Sequence, residues 1–326
     1  MFRYLVPRTM HALAIVAFAA LASFVLLQLA PGDAATQSAD RPGRNSAAQA
    51  AMRERLGLNR SVPAQALAYV MDVARGDLGV SFAEQRSVRS VLADALPATM
   101  MLSGAGLVLA CVFGVGIGTA QGWRPNNRVA ATLGTALTLL YTLPEVVVGV
   151  ALMAVFGLVW SVLPVGGMTD PLVELTGGFG AQFVDRLRHL ALPSFALALV
   201  WSAAIARQQR TAVREVALAA FVRTAHAKGL GDARVLRRHV MRSALPGTVA
   251  VIGTMLPALA GGTVIIEALF AWPGMGSLLV RSVALRDAPV VAGAVIVMAL
   301  VIAMGTLITD AVVGWLDPRT RAEATE

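Results

Sequence analysis

The chain has 326 residues, of which 57% are hydrophobic and only 14% are charged. A soluble domain carries about 25% charged residues, so most of this chain lacks the charged surface that water requires. The composition excludes an ordinary soluble protein and favours an all-α integral membrane protein. The formal charge of +8 taken alone suggests nucleic-acid binding. However, the basic residues flank apolar stretches, so membrane topology explains them better and no nucleic-acid partner is predicted.

Six stretches are apolar enough for a membrane-spanning helix, which needs about 20 residues. The fourth is short, whereas the third and sixth are long, which predicts tilted or kinked helices. Pro144 interrupts the third stretch, and Pro257 with the Gly261-Gly262 pair interrupts the fifth. The six predicted spans are Met10–Ala30, Ala98–Ala120, Val129–Leu158, Leu190–Ala206, Pro246–Phe270 and Pro289–Leu316.

The distribution of arginine and lysine predicts the orientation of the spans. If the N-terminus is inside, the inner segments hold fifteen basic residues and the two shorter outer loops hold four. Positive residues are enriched in short cytoplasmic loops, so both termini are predicted to be cytoplasmic. The segment 31–97 holds eight arginines but is too long to count under this rule.

The N-terminal part of the chain allows two interpretations. Arg3 and Arg8 before an apolar run resemble a secretory signal peptide, but the run is longer than usual and is interpreted as the first span. After it, Ala47–Leu58 and Val62–Ala74 show helical periodicity and predict a small external cap. The predicted organisation is 1–30 for the first span, 31–97 outside, 98–316 as a five-helix core that includes the loop 207–245, and 317–326 as an inner tail.

The sequence contains no catalytic motif. A phosphate-binding P-loop needs Gly-Lys-Ser/Thr, but the only lysine, Lys228, stands between alanine and glycine. There is no zinc motif, the histidines are scattered, and Cys111 lies alone in an apolar run. The chain is therefore predicted not to be an enzyme and to hold no cofactor or metal.

The basic loop between the fourth and fifth spans predicts a helical hairpin. Its helices are Ala212–Ala227 and Asp232–Ala244, with Gly229 as a C-terminal cap and Asp232 as an N-cap. A solvated basic loop would explain the charge but not the helix-glycine-helix pattern. We therefore predict a platform on which a soluble partner docks.

Several motifs make the chain resemble the permeases of binding-protein-dependent ABC importers, in the branch that imports dipeptides, oligopeptides and nickel. The hairpin sequence Phe221-Val-Arg-Thr-Ala-His-Ala-Lys-Gly-Leu230 resembles the "EAA" loop of that family. The other motifs occur in the family's order: Leu29-Ala-Pro-Gly-Asp33, Leu56-Gly-Leu58, Gly76-Asp-Leu-Gly-Val-Ser-Phe82, Leu96-Pro-Ala-Thr99, Leu163-Pro-Val-Gly-Gly167, Ile266-Glu-Ala-Leu-Phe-Ala-Trp-Pro-Gly-Met-Gly276 and Leu316-Asp-Pro-Arg319.

This resemblance implies a subunit of a bacterial inner-membrane importer that conducts cargo while a separate motor hydrolyses ATP. The implied partners are a second homologous permease subunit, two ATP-binding subunits, an extracytoplasmic solute-binding protein and membrane lipid. Peptides are the expected cargo, with nickel or a metal chelate as the alternative. The residues implied in ATPase coupling are Thr224, Ala225, Lys228, Gly229, Leu230, Arg234, Arg237 and Arg238.

Two glutamates in or near the apolar spans are candidates for the translocation path, because buried charge usually faces a cavity or a partner. Glu145 directly follows the Pro144 break and either lines the path or is a carboxyl near the interface satisfied by backbone or water. For Glu267 the resemblance favours an external gate, together with Trp272, Pro273 and Gly274. His189 is interpreted as structural rather than as a metal ligand.

The alternative from another class is a self-sufficient secondary carrier or channel. Such carriers usually contain internal repeats and coupling-ion sites near the membrane midplane. No convincing repeat relates the two halves of this chain, and Glu145 is its only plausible midplane charge. An intramembrane enzyme is disfavoured because nucleophile, base and ligand clusters are lacking.

Overall fold

A computed structural model describes residues 2–29, 61–256 and 263–316. These residues are helical with short connections, and their only β-type pairing is an isolated bridge between Val80 and Ser87. The predicted all-α class is confirmed. The helices are α1 Phe2–Leu29, α2 Val62–Ala74, α3 Val88–Trp123, α4 Arg128–Thr142, α5 Glu145–Leu152, α6 Pro171–Thr176, α7 Phe179–Ala217, α8 Ala220–Ala227, α9 Asp232–Val235, α10 Met241–Met255, α11 Val264–Leu269, α12 Met275–Ala284 and α13 Ala288–Leu316. Short π-helical segments follow α5 at Met153–Val159 and α9 at Leu236–Val240.

Within the described ranges, four helices are long and apolar enough to cross a membrane, or five if one bent pair counts as a single span. The bent pair is α4 with α5, and the chain bends by 115° between them where it passes Pro144. Proline removes a backbone donor and disfavours helix in the residue before it, so the predicted break in the third span is explained. The predicted helix Ala47–Leu58, the Gly261-Gly262 pair and the tail 317–326 lie outside the described residues.

The fourth predicted span is not short. Leu190–Ala206 is the middle of α7, a helix of 39 residues that continues for several turns at both ends. The extensions were missed because they carry charged residues, which end an apolar window without ending a helix. The fifth predicted span is represented by α10 on one side of the undescribed residues and α11 on the other.

The central contact of the fold joins α3 to α7. Gly106, Gly114, Gly118 and Gly122 lie on one face of α3, and a side chain at any of them would overlap α7. Gly106 meets Leu197, Gly114 meets Ile205, and Gly122 meets Val213. Small residues allow helix backbones to approach closely in a membrane bundle. Because the contacting positions advance together along both chains, α3 and α7 run parallel, and the segment between them must return to the side where α3 began.

The outer helices pack in the opposite sense. α1 is antiparallel to α13, because Arg8 forms an ion pair with Asp310 whereas Ser23 donates a 3.3 Å hydrogen bond to the carbonyl of Ala292. α10 is likewise antiparallel to α13, since the Thr309 hydroxyl donates to the carbonyl of Gly253 at 2.9 Å and Gly305 lies against Leu256. The start of α13 lies against the start of α3, where Gly293 contacts Val88.

The segment that precedes α3 is attached to the bundle at two places, both at the end where α1 stops and α13 starts. Helix α2 coincides with the predicted Val62–Ala74 and rests on α1, where the rings of Tyr69 and Phe24 are 5.9 Å apart. Burial raises the pKa of Tyr69 to about 12, so its phenol stays neutral at physiological pH. Further along, the buried carboxylate of Asp287 accepts hydrogen bonds from the Ser81 hydroxyl at 2.5 Å and from two main-chain N–H groups at 3.1 Å.

Candidate coupling surface and gate region

The basic hairpin (residues 218–245) has its own small hydrophobic core. Val222 and Ala225 of α8 pack with Val213 at the end of α7, and with Val235 and Val240 of the second arm. The predicted single helix Ala212–Ala227 is wrong, because α7 ends at Ala217 and a new helix begins at Ala220. The break turns α8 back toward α7, so that apolar residues on both sides of it share one core.

Gly229 reverses the chain between the two arms of the hairpin, as predicted. Its φ is +77°, a conformation that costs glycine little and residues with a side chain more. The N–H of Gly229 donates to the carbonyl of His226 at 2.9 Å, and that of Leu230 donates to Ala225 at 3.3 Å. These are the two hydrogen bonds of a Schellman cap. The next helix begins at Asp232, as predicted, but its N-cap is Gly231 and not Asp232.

The predicted coupling residues divide between the surface and the core of the hairpin. Ala225 is only 5% exposed and Leu230 is half-buried, so these two side chains hold the hairpin together. The exposed ones are Thr224, Lys228, Gly229, Arg234, Arg237 and Arg238. The hairpin thus presents a basic surface supported by an apolar interior.

The hairpin is also fastened to the long helices. The ring of His226 stacks on Trp123, the last residue of α3, with centroids 6.1 Å apart and planes 17° from parallel. The imidazole Nδ1 lies 3.8 Å from a carboxylate oxygen of Asp232, on the far side of the glycine turn. These contacts join the two arms to each other and to the end of α3.

A buried glutamine at the base of the hairpin was not predicted. Gln209 of α7 accepts a 2.5 Å hydrogen bond from the hydroxyl of Thr248 in α10. Its amide donates at 3.1 Å to the hydroxyl of Thr119 in α3 and lies 3.5 Å from the sulfur of Met241. The helical period offered a signal, because Gln209 lies four residues from Ile205 and from Val213, both of which are fully buried. The signal was missed because Gln209 lies between Arg207 and Arg210, where a polar residue suggests an exposed surface.

In the gate region, Glu267 is fully buried and its carboxylate accepts four hydrogen bonds. The hydroxyls of Thr99 and Thr263 donate to Oε1 at 2.7 and 2.8 Å. The main-chain N–H groups of Gly276 and Ser277, in the first turn of α12, donate to Oε2 at 2.7 and 3.2 Å. A helix N-terminus stabilises a negative charge, so the carboxylate is compensated without a cation.

Trp272 locks the turn that connects α11 to α12. Its indole is fully buried, and Nε1 donates a 2.8 Å hydrogen bond to the carbonyl of Ala98 in α3. Just before it, the carbonyl of Phe270 accepts a 2.8 Å hydrogen bond from the N–H of Gly167, in the loop that follows the bent pair. Pro273 is exposed beside the buried indole. The turn is therefore held by two separate parts of the chain, α3 and the loop that follows the bent pair.

Gly274 is required by a close approach. A β-carbon there would overlap the Glu267 carboxylate and lie 2.5 Å from the hydroxyl oxygen of Thr99. That hydroxyl also accepts the N–H of Met275 at 2.7 Å, which begins α12. Glu267, Trp272 and Gly274 thus belong to one connected, solvent-excluded cluster, with Pro273 exposed at its edge, and the gating role of these residues stays a prediction.

Glu145 occupies a different environment from Glu267. It is the first residue of α5, after the N-cap Pro144, and it is half-buried. Over the described part of the chain, its carboxylate has neither a hydrogen bond nor an ion pair. Its role in the translocation path also stays a prediction. His189 has a structural contact, because its Nδ1 lies 3.0 Å from the carbonyl of Asp185 one turn earlier.

The arrangement is that of a helical integral membrane protein with several apolar helices and an exposed basic hairpin. The chain belongs to the family described as binding-protein-dependent transport system inner membrane component, which matches residues 112–322. A companion family, the N-terminal region of such membrane components, matches residues 1–103. This confirms the membership predicted from the motifs, and the chain is a multi-pass transport component of the inner membrane.

Relatives similar over nearly their whole length carry peptide-transport names. The oligopeptide transport system permease protein AppB of Bacillus subtilis is 30% identical over 97% of this chain and 98% of its own. The dipeptide transport system permease protein DppB of Escherichia coli K12 is 31% identical over 92% and 93%. The di/tripeptide transport system permease protein DppB of Pseudomonas aeruginosa is also 31% identical, with the same coverage.

Proposed function

We propose that this chain is one of two permease subunits in an ATP-driven importer of short peptides. The carrying observation is the basic hairpin, an exposed surface on an apolar core that is fastened to α3, α7 and α10. The peptide cargo is inferred from the names of the relatives, since three of them transport dipeptides, tripeptides or oligopeptides. The implied partners are a second homologous permease subunit, two ATP-binding subunits and an extracytoplasmic solute-binding protein.

The pairing directions of the helices support six passages with both termini on the hairpin's side. The parallel pair α3 and α7 requires the bent α4–α5 pair to cross back between them. The antiparallel pairs of α13 with α1 and α10 complete an alternating order. The nine basic residues from Arg207 to Arg242 then lie on the side that the positive-inside rule assigns to the cytoplasm.

Coupling would proceed through rigid contact. An ATP-binding subunit contacts Thr224, Lys228 and the arginines of the second arm. Its movement then displaces the hairpin as one rigid body, because Ala225 and Leu230 are packed inside. The Gln209 cluster passes that displacement to α3 and α10, which it joins to α7. A partner can shift the equilibrium only if it contacts the two states of the permease differently.

The gate cluster would hold the outer side of the pathway shut in this conformation. Glu267, Trp272 and Gly274 tie the α11–α12 turn to α3, so opening would have to separate or move these elements together. Glu145 lies at the break between α4 and α5, and its carboxylate, which has no partner within residues 2–29, 61–256 and 263–316, is available to cargo. Both assignments deepen the transport proposal and can fail independently of it.

The coupling proposal is tested with two glycine variants of the hairpin. Gly229→Val forces a β-branched residue to φ +77°, whereas Gly231→Val meets no neighbour within 4 Å and keeps φ near −67°. The first carries a local strain of about 1–2 kcal/mol and should distort the docking turn. After co-reconstitution with the ATP-binding subunits and binding protein, we expect Gly229→Val to lose peptide uptake and peptide-stimulated ATP hydrolysis. Gly231→Val should keep both.

The outcome that contradicts docking is equal uptake by the two variants, with both inserted at wild-type level. A self-sufficient carrier makes a different prediction. Vesicles that contain this chain without ATP-binding subunits would accumulate labelled dipeptide in an ion gradient, and that result would overturn the proposed function as a whole.

A further inference from the structure

Three arginines at the end of α7 face two adjoining recesses. Arg207, Arg210 and Arg214 follow one another at helical spacing and are all exposed. They border a cleft of about 500 Å³ on one side and a recess of about 380 Å³ on the other. Throughout residues 2–29, 61–256 and 263–316, no carboxylate forms an ion pair with any of the three. Glu215, on the wall of the smaller recess, is the only acidic lining residue of either.

The cleft offers hydrogen-bond donors to a ligand. These donors are not the Thr135 and Thr138 hydroxyls of α4 on the opposite wall, because both already donate to carbonyls of their own helix, at 3.0 and 2.9 Å. The amides of Gln121 and Asn126 line its end. Together with three guanidinium groups, this lining favours a ligand rich in acceptor oxygens and negatively charged. A phosphate group fits that description, and arginine binds it through paired N–H groups.

The three arginines lie where the apolar part of α7 ends, the position at which a spanning helix meets the lipid headgroups. The apolar stretch Leu190–Ala206 ends immediately before Arg207, and Arg214 lies seven residues, or about 10 Å, further along the helix. The headgroup zone begins where the hydrocarbon ends and is about 5–8 Å thick. Val129 and Leu133 of α4 are exposed on the helix that forms the opposite wall, so apolar surface adjoins the cleft. A positive-inside bias explains the sign of these charges but not their convergence on a cleft.

We propose that this cleft binds the phosphate headgroup of an anionic phospholipid from the adjacent leaflet. Basic recesses between membrane helices on the cytoplasmic side bind such headgroups in other proteins. Lipid binding needs no ATP-binding subunit and no cargo, so this proposal can fail while the transport proposal stands, and the reverse. Only the assignment of the leaflet depends on the proposed orientation.

The test compares two triple variants that lose the same charge. Arg207→Gln/Arg210→Gln/Arg214→Gln empties the cleft of cations, whereas Arg234→Gln/Arg237→Gln/Arg238→Gln removes three from the exposed face of the hairpin. Each full-length chain is delipidated in mild detergent and titrated with phosphatidylglycerol, and bound lipid is counted by native mass spectrometry. We expect the cleft variant to bind more than about ten-fold more weakly, because each arginine near a headgroup contributes substantially to anionic-lipid binding. The hairpin variant should bind like wild type.

A second variant guards against misfolding. Thr135→Phe narrows the cleft and keeps every charge, so it should also weaken phosphatidylglycerol binding while its elution profile stays that of a folded monomer. Equal binding by the two triple variants would overturn the proposal. Binding of phosphatidylethanolamine as strongly as phosphatidylglycerol would overturn it too. So would loss of the bound lipid when a second permease subunit covers the cleft.

Discussion

The hydroxyl of Thr99 donates a 2.7 Å hydrogen bond to the carboxylate of Glu267, which lies 168 residues later in the chain. The bond joins α3 to the short helix α11 inside a region from which water is excluded. Because the same carboxylate accepts two main-chain N–H groups of α12, it organises the whole turn between α11 and α12. Buried donors that lose such a partner destabilise a fold by more than the bond itself contributes.

We expect Glu267→Ala to destabilise the protein strongly and Glu267→Gln mildly. Alanine leaves four buried donors without an acceptor, at a cost of about 3–5 kcal/mol. Glutamine keeps one acceptor oxygen, and its amide can donate to the threonine hydroxyls, so about 1–2 kcal/mol is expected. Thermal unfolding in detergent measures both. Glu145→Gln is the control and should lie near wild type; similar melting temperatures for all three would contradict the assignment.

Gly274→Ala should disturb the same cluster from the other side. Its methyl group would overlap the Glu267 carboxylate, and relief of the overlap requires movement of α11 or α12 at a cost of about 1–3 kcal/mol. Gly180→Ala, with no neighbour within 4 Å, should be neutral or slightly stabilising. Thermal unfolding followed by tryptophan fluorescence would report the change, since Trp272 belongs to this turn. An undisturbed melting temperature for Gly274→Ala would show that the turn is not tightly packed.

Two glycines of α3 distinguish its contact with α7 from its open face. Gly114→Val would place its β-carbon 2.6 Å from that of Ile205, whereas Gly116→Val meets nothing within 4 Å. The first should force α3 away from α7 and lower stability by about 1–3 kcal/mol, while the second should insert and melt like wild type. Size-exclusion elution after heating a membrane extract measures the difference. Equal survival of the two variants would refute the close packing of α3 against α7 at Gly114.

Gln209→Leu should loosen the base of the hairpin. It removes the acceptor of the Thr248 hydroxyl and the donor to Thr119, and a buried hydroxyl without a partner costs about 1–3 kcal/mol. Limited proteolysis should then cleave the hairpin faster, because its attachment to α3 and α10 is weaker. Gln208→Leu, half-buried at the next position, is the matched control. If both variants are cleaved at the wild-type rate, the cluster does not fasten the hairpin.

The local sequence pattern was sufficient to predict the turn of the hairpin but not the break between α7 and α8. The cap at Gly229 was predicted because a glycine after a helix and before a new one has a local cause, the left-handed backbone. The break at Leu218 has no local signal of that kind. It forms because Val222 must reach the same core as Val213, and that requirement exists only once the two helices are packed.

The amino-acid pattern alone established the all-α membrane class, the third-span break at Pro144, helix α2 and the family, since each depends on composition or on neighbouring residues. The tertiary structure decided that Ala225 points inward, that Glu267 is a buried acceptor of four hydrogen bonds, and that α3 runs parallel to α7. These properties arise from contacts between residues about 90 or more positions apart or from the packing of whole helices. Periodicity identifies which face of a helix is apolar, but the partner that covers that face is chosen only when the chain folds.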